Sequence, residues 1–263
     1  MLTSDREFNN IKVHTQYSIC EGAIKIDELA SYCKANKVRA IGLADSYNLC
    51  GALEFAEKIS KVGTQPLIGT QINLSVDNLI GKITLYATSE QGYKNLTKLS
   101  SLSYLKKKES FEPYCEIDDL IINNHDLIIL TGNYNNFFGK LFYKNKTKHF
   151  EKTIESLNFA FKDRLYIEIQ RHGELKEANY ENYLLTISSK YNLPLIASQE
   201  VFYLNSDMAE AHDALVCIGE KQFLDDQNRF RYSDQHYLKK SEELKKIYKD
   251  IPEALENNYN FPL

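Results

Sequence analysis

Residues 40–59 read AIGLADSYNLCGALEFAEKI. An uncharged run, Ala40–Ala44, is followed by a polar turn through Asp45, Ser46, Tyr47 and Asn48. Ala52, Leu53, Ala56 and Ile59 then recur at three- and four-residue spacing, which places them on one face of a helix. This is one strand–turn–helix unit, with its only early charge, Asp45, where the strand ends. A unit of this kind buries its strand only when copies stand side by side, so the question is whether the pattern repeats.

It does, in both directions. Further apolar runs of strand length lie at Ile11–His14, Leu67–Leu74, Lys82–Ala87, Leu127–Leu130, Leu165–Ile169 and Leu195–Ala197. Helical spacing intervenes. Ile26, Leu29, Ala30 and Cys33 share one face, and Tyr180, Tyr183, Leu184 and Ile187 another. Thr88 and Gln91 fit a capping box ahead of a helix carrying Tyr93, Leu96 and Leu99. With no low-complexity linker between units, the expectation is an α/β fold: a single parallel, distorted seven-stranded (β/α) barrel over residues 1–205. After Tyr203 the pattern turns helical, at Asp207–Ile218 and Ser241–Tyr248. Residues 206–263 are therefore expected to be a helical extension packed on the barrel.

Composition narrows the functional classes. The chain has 263 residues, 43% of them hydrophobic, and puts much of its apolar volume into 18 Tyr and 13 Phe, with no Trp. A formal charge of −4 argues against a domain that grips nucleic acid unaided. The basic runs Lys106–Lys107–Lys108 and Lys144, Lys146 and Lys148 read as solvated loops. The five cysteines, Cys20, Cys33, Cys50, Cys115 and Cys217, are odd in number and lack CxxC spacing. They argue against a disulfide framework or zinc ribbon and for a reducing cytoplasm. No charged-then-apolar leader opens the sequence and no stretch approaches membrane-spanning length, so a soluble cytoplasmic protein is expected.

In parallel barrels chemistry gathers where strands end. Those positions here are His14, Asp45 with Ser46, Gln71, Asn133, His172 and Glu200. Around them lie several longer matches. Val13-His14-Thr15-Gln16-Tyr17-Ser18 with Glu21-Gly22-Ala23 resembles the opening motif of the PHP domains that head bacterial DNA polymerase III alpha subunits. Ala44-Asp45-Ser46-Tyr47-Asn48-Leu49-Cys50-Gly51-Ala52 is similar to that family's second motif, and Gln65-Pro66-Leu67-Ile68-Gly69 to its third segment. Gly92-Tyr93-x-Asn95-Leu96, Leu165–Gln170, Leu224-Asp225-Asp226 and Asp250-Ile251-Pro252-Glu253-Ala254-Leu255 continue the resemblance in order across nearly the whole chain.

The resemblance implies a PHP barrel at the head of a longer polymerase, whose Mg²⁺-dependent core lies outside this sequence. It also implies docking to other holoenzyme subunits, notably the proofreading exonuclease, with DNA held by the core and no membrane partner. Competent members of the family hold a metal cluster with His, Asp, Glu and Cys ligands and hydrolyse phosphoesters. Of ten mapped ligand positions, His14, Asp45, His172 and Glu200 could still ligate. Lys12, Ser46, Gln71, Lys82, Asn133 and Phe202 stand where the family has donors, Asn133 retaining only an amide oxygen. Two ammonium groups facing the pocket would repel a divalent ion by roughly 1–4 kcal/mol per close pair. Lys12 or Lys82 could instead pair with Asp45 or Glu200, an internal salt bridge in place of a metal.

The expectation is thus a non-catalytic scaffold module of the replicative polymerase, without cofactor or catalytic residue of its own. The alternative is an active metal-dependent phosphoesterase or 3′–5′ proofreading exonuclease on the same barrel, and a third reading is an unrelated free-standing hydrolase. Plainer roles exist for each residue. His14 and His172 could be structural histidines, Asp45 a cap for a helix starting near Asn48, and His212 a packing or capping residue. His125, His149 and His236 read as loop residues without chemistry. GxSxG, P-loop and GxGxxG motifs are absent.

Overall fold

A computed structural model of the chain describes residues 6–105 and 112–262; Lys106, Lys107 and Lys108 lie outside the described residues. The strands are β1 (Asn10–Val13), β2 (Ala40–Leu43), β3 (Gln65–Val76), β4 (Leu79–Ala87), β5 (Tyr114–Glu116), β6 (Leu127–Leu130), β7 (Leu165–Gln170), β8 (Leu195–Ser198) and β9 (Glu200–Val201). The seven expected from the sequence are all present. The short β5, which pairs with β3 off the main path, and β9 are additional.

Across the sheet the order is β8-β7-β6-β4-β3-β2-β1-β9. Only Gln199 separates β8 from β9, so the two ends of the sheet belong to one interrupted strand. Its first part pairs with β7 and its second with β1. The sheet therefore curls into a nearly closed barrel. β1 and β2 approach so closely that a Cβ at Gly42 would lie 1.9 Å from the Ile11 carbonyl oxygen, which leaves glycine as the residue that fits.

The barrel is mixed rather than all-parallel. β4 runs antiparallel to both β3 and β6. The cause is a two-residue hairpin, Asp77–Asn78, with φ values of 50° and 61°. Asp and Asn tolerate this left-handed conformation, which suits a tight hairpin and leaves no room for a crossover helix.

The helices are α1 (Ile26–Asn36), α2 (Ala52–Lys61), α3 (Glu90–Leu105), α4 (Ile117–Ile122), α5 (Phe137–Tyr143), α6 (Thr147–Phe161), α7 (Glu177–Tyr191), α8 (Ala209–Glu220), α9 (Ser241–Ile247) and α10 (Pro252–Asn260). On α1 the buried face is Ile26, Leu29, Ala30 and Cys33, as its spacing predicts. On α2 it is Ala52, Phe55 and Ile59, whereas Leu53 is 71% exposed; the bulkier Phe55 sets the face. On α7, Tyr180, Leu184 and Ile187 are buried and Tyr183 only partly so. α3 is capped by Ser89, whose Oγ accepts from the Gly92 N–H at 3.1 Å, rather than by Thr88, whose hydroxyl turns to the Asp126 carbonyl. Lys148 opens α6 rather than lying in a loop.

Helices α3 to α7 pack on the sheet around one large apolar cluster, and α1 and α2 cover β1 and β2 with a second. The C-terminal helices join the first, through Leu244, Tyr248 and Ala254. Tyr248 donates its hydroxyl to the Ser198 carbonyl at 2.6 Å and accepts from the Arg171 N–H at 3.0 Å. Asn258 exchanges hydrogen bonds with both the backbone and side chain of Asn9 and donates to the Ala197 carbonyl. Phe261 meets Tyr86 edge-on, with ring centroids 5.2 Å apart.

Candidate functional site

The strand ends that the sequence singles out converge on one rim of the barrel. Lys12 and Glu200 face each other in register across β1 and β9, and a backbone bridge joins Ser46 to Gln71. Glu200 is the hub. Its Oε1 accepts from His14 Nε2 at 3.0 Å and Gln71 Nε2 at 2.6 Å, its Oε2 from Asn133 Nδ2 at 3.0 Å, and Lys12 Nζ lies 3.8 Å away.

Lys12 has two carboxylate neighbours. Its Nζ, buried completely, is 3.3 Å from both oxygens of Glu168 on β7. Glu168 accepts in addition from Gln170 Nε2 at 2.7 Å and from the Ser198 hydroxyl. The second lysine, Lys82, pairs with Glu21 and donates to Ser46 Oγ at 3.1 Å, while its ammonium sits 5.0 Å from the centre of the Tyr47 ring. Both lysines are ion-paired, but their close partners are not Asp45 or Glu200, the two anticipated from the sequence. Glu168 and Glu21 supply the close contacts, with Glu200 at longer range and Asp45 uninvolved.

Burial pulls against the charged form of Glu200, but the ammonium of Lys12, aided by His14 and Lys82, outweighs it and holds the carboxyl well below the usual range. The same contest holds Glu21 below its ordinary value and Lys82 above its own, each because its partner's charge prevails over desolvation.

Asp45 does not cap a helix. Its Oδ1 accepts from the Thr15 N–H at 2.6 Å and Ser18 Oγ at 2.7 Å, and its Oδ2 from Thr15 Oγ1 at 2.7 Å. The carboxyl thereby fixes the turn after β1, and burial raises its pKa despite those bonds. His172 lies in the same cluster, with its chemistry spent internally. Its Nε2 accepts the Glu200 backbone N–H at 3.2 Å, which places the proton on Nδ1, 3.2 Å from Glu177 Oε1. Desolvation holds this imidazole well below the usual histidine value.

Phe202 fills the remaining space. Its ring stacks on His14 at 4.7 Å and on His212 at 5.3 Å and leans on Tyr232 at 4.6 Å. His212 packs as the sequence suggests and bonds the Glu21 carbonyl through Nε2 at 2.7 Å. His236, read as a loop residue without chemistry, instead belongs to the site. It is buried and stacks on His172 with centroids 3.9 Å apart, and its Nδ1 bonds the Glu200 carbonyl at 3.0 Å. The stacked pair thus holds the Glu200 backbone at both its N–H and its C=O. His125 and His149 remain at the surface.

A metal cluster fits this donor set poorly. The oxygens and nitrogens of His14, Asp45 and Glu200 are engaged by protein partners, and the lone pair of His172 is taken by a backbone N–H. Two ammonium groups stand among the carboxylates. Among the described residues no group of three or more His, Cys, Asp or Glu is placed to hold a metal ion. Nor is any described helix long and apolar enough to cross a membrane.

The family model for the PHP domain matches residues 10–172. The chain is 35% identical to the DNA polymerase III subunit alpha of Caulobacter vibrioides over 260 residues, covering 95% of this chain and 23% of that protein. It is 32% identical to the DNA polymerase III subunit alpha of Vibrio cholerae, covering 97% of this chain and 22% of that protein. The chain thus spans less than a quarter of the length of these curated relatives. Among solved structures, an amidohydrolase from Chromobacterium violaceum aligns over 74% of this chain and 87% of its own, with a TM-score of 0.49 and 10% identity. With its barrel, its strand-end motifs and a family match over most of its length, the chain belongs to the PHP domain family.

Proposed function

We propose that this chain is a non-catalytic structural module of a replicative DNA polymerase alpha subunit, working in the cytoplasm within the polymerase holoenzyme. Its similarity to alpha subunits over nearly its whole length supports the replication role. The observation that carries the silent site is the fully buried Lys12 ammonium between Glu168 and Glu200. Hydrolysis of a phosphoester in this family depends on metal ions that activate water and neutralise charge on the phosphoryl oxygens. A lysine can neutralise the carboxylates but offers no open coordination position for water.

Polymerisation, with its Mg²⁺, belongs on this reading to a core outside the sequence, as does the grip on DNA. Residues 1–205 form the barrel and 206–263 brace it as part of the same domain. Proofreading then falls to a separate exonuclease subunit, for which this domain is a docking site. The test is twofold. The purified chain, supplied with Mg²⁺, Mn²⁺ or Zn²⁺, should release no product from a generic phosphoester or from 3′-terminal nucleotides. Calorimetric titration with the organism's own exonuclease subunit should show binding. Metal-dependent hydrolysis abolished by His14→Ala would overturn the silent site, and absence of binding by the full-length protein would overturn the docking role.

A further inference from the structure

Each lysine of the rim joins chain segments that are distant in sequence. Lys12 on β1 reaches Glu168 on β7 and Glu200 on β9, the strands that meet where the barrel closes. Lys82 on β4 reaches Glu21 after β1 and Ser46 after β2. The carboxylates do not depend on the lysines for their shape. Glu168 is oriented by Ser198 and Gln170, and Glu200 by His14, Gln71 and Asn133. Those bonds would survive removal of the Lys12 side chain. What remained would be a closed space the length of the missing side chain, with two fixed carboxylates beside it. Its lining is already polar and carries a net negative charge once the lysine is gone.

We propose that Lys12 occupies a latent cation site, formed by Glu168 and Glu200, and that its ammonium is a tethered occupant which a small free cation can replace. The inference rests on the reading of the rim as metal-free, and it adds that the barrel seam needs a positive charge at this point irrespective of the chain that delivers it. A side chain of similar length without charge would fill the space and still fail. A truncated side chain would fail too, but would leave room for an external ion.

The experiment compares thermal unfolding of the wild-type chain with Lys12→Ala and Lys12→Met, each alone, with ethylammonium chloride, and with sodium chloride at the same ionic strength. Both variants should melt below wild type. Ethylammonium should restore at least half of the loss in Lys12→Ala, as expected for a ligand that binds only the folded state. It should do nothing for Lys12→Met or wild type. If Lys12→Ala yields no folded protein, Lys12→Met combined with Glu168→Gln carries the test, since removing one negative charge should recover part of the Lys12→Met deficit. Lys12→Ala melting with wild type, failure of ethylammonium beyond the sodium control, or no recovery in the double variant would each overturn the site. Metal bound stoichiometrically by wild type would instead overturn the metal-free reading on which it rests.

Discussion

Replacing Glu200 by Gln removes one negative charge while keeping the shape of the side chain. Three donors now converge on the two Glu200 oxygens, from His14, Gln71 and Asn133, with the Lys12 ammonium beyond. An amide presents one oxygen and one NH₂ group, so at least one donor must face another donor, and Lys12 keeps only Glu168. Removing one partner of a buried charged network costs about 3–5 kcal/mol. For a chain of 263 residues, unfolding entropy near 2.1 cal/mol/K per residue turns this into a fall in Tm of about 5–9 °C at pH 7. The pH dependence follows from the sign of the shift. The folded-state pKa of Glu200 lies well below the ordinary carboxylate value. Its stabilising contribution is therefore complete above the unfolded pKa, about 4.3, and declines as pH falls toward the folded one. The gap between wild type and Glu200→Gln should be constant from pH 6 to 8 and narrow below pH 4.5. Circular-dichroism melts across that range measure it. Equal Tm values at pH 7, or a gap that ignores acid, would refute the reasoning.

Lys82→Met should destabilise less than Glu200→Gln, because the Lys82–Glu21 pair is partly open to solvent. With Glu21 lowered and Lys82 raised, the pair stabilises at neutral pH and loses its effect as pH falls through the folded value of Glu21, so the variant's deficit in a melt should vanish in acid. Tyr248→Phe should cost about 1–3 kcal/mol in urea unfolding, since the buried Ser198 carbonyl and the part-buried Arg171 N–H both lose the same hydroxyl. Ser46→His should add an imidazole near Lys82 yet produce no metal-dependent hydrolysis, because two ammonium groups and the Phe202 ring remain in the cavity.

What could be read from the sequence was what periodicity and strand ends encode. The seven strand runs, the α1 face and the convergence of His14, Asp45, Gln71, Asn133, His172 and Glu200 all follow from local pattern plus the rule that barrels gather strand ends. The direction of β4 was less accessible, although Asp77–Asn78 is a pair suited to a tight hairpin and could have signalled it. The ion-pair partners were hidden for a different reason. Glu168 sits inside an otherwise apolar strand and Glu21 in a turn, and only the curl of the sheet brings them 156 and 61 residues along the chain to Lys12 and Lys82. A carboxylate inside the run Leu165–Gln170 was nevertheless a signal, since a charge on a buried strand demands a partner. His236 carried none: its place on the Glu200 peptide depends on how residues after α8 fold back over the rim.

The claim at the centre of this account is that lysines have replaced metal ions in the barrel. Elemental analysis of the purified chain, incubated with Zn²⁺, Mn²⁺ and Fe²⁺ and then desalted, tests it most directly. Well under one equivalent of any of these metals is expected, unchanged in a His14→Ala variant. Stoichiometric metal in the wild type, lost on His14→Ala, would contradict it.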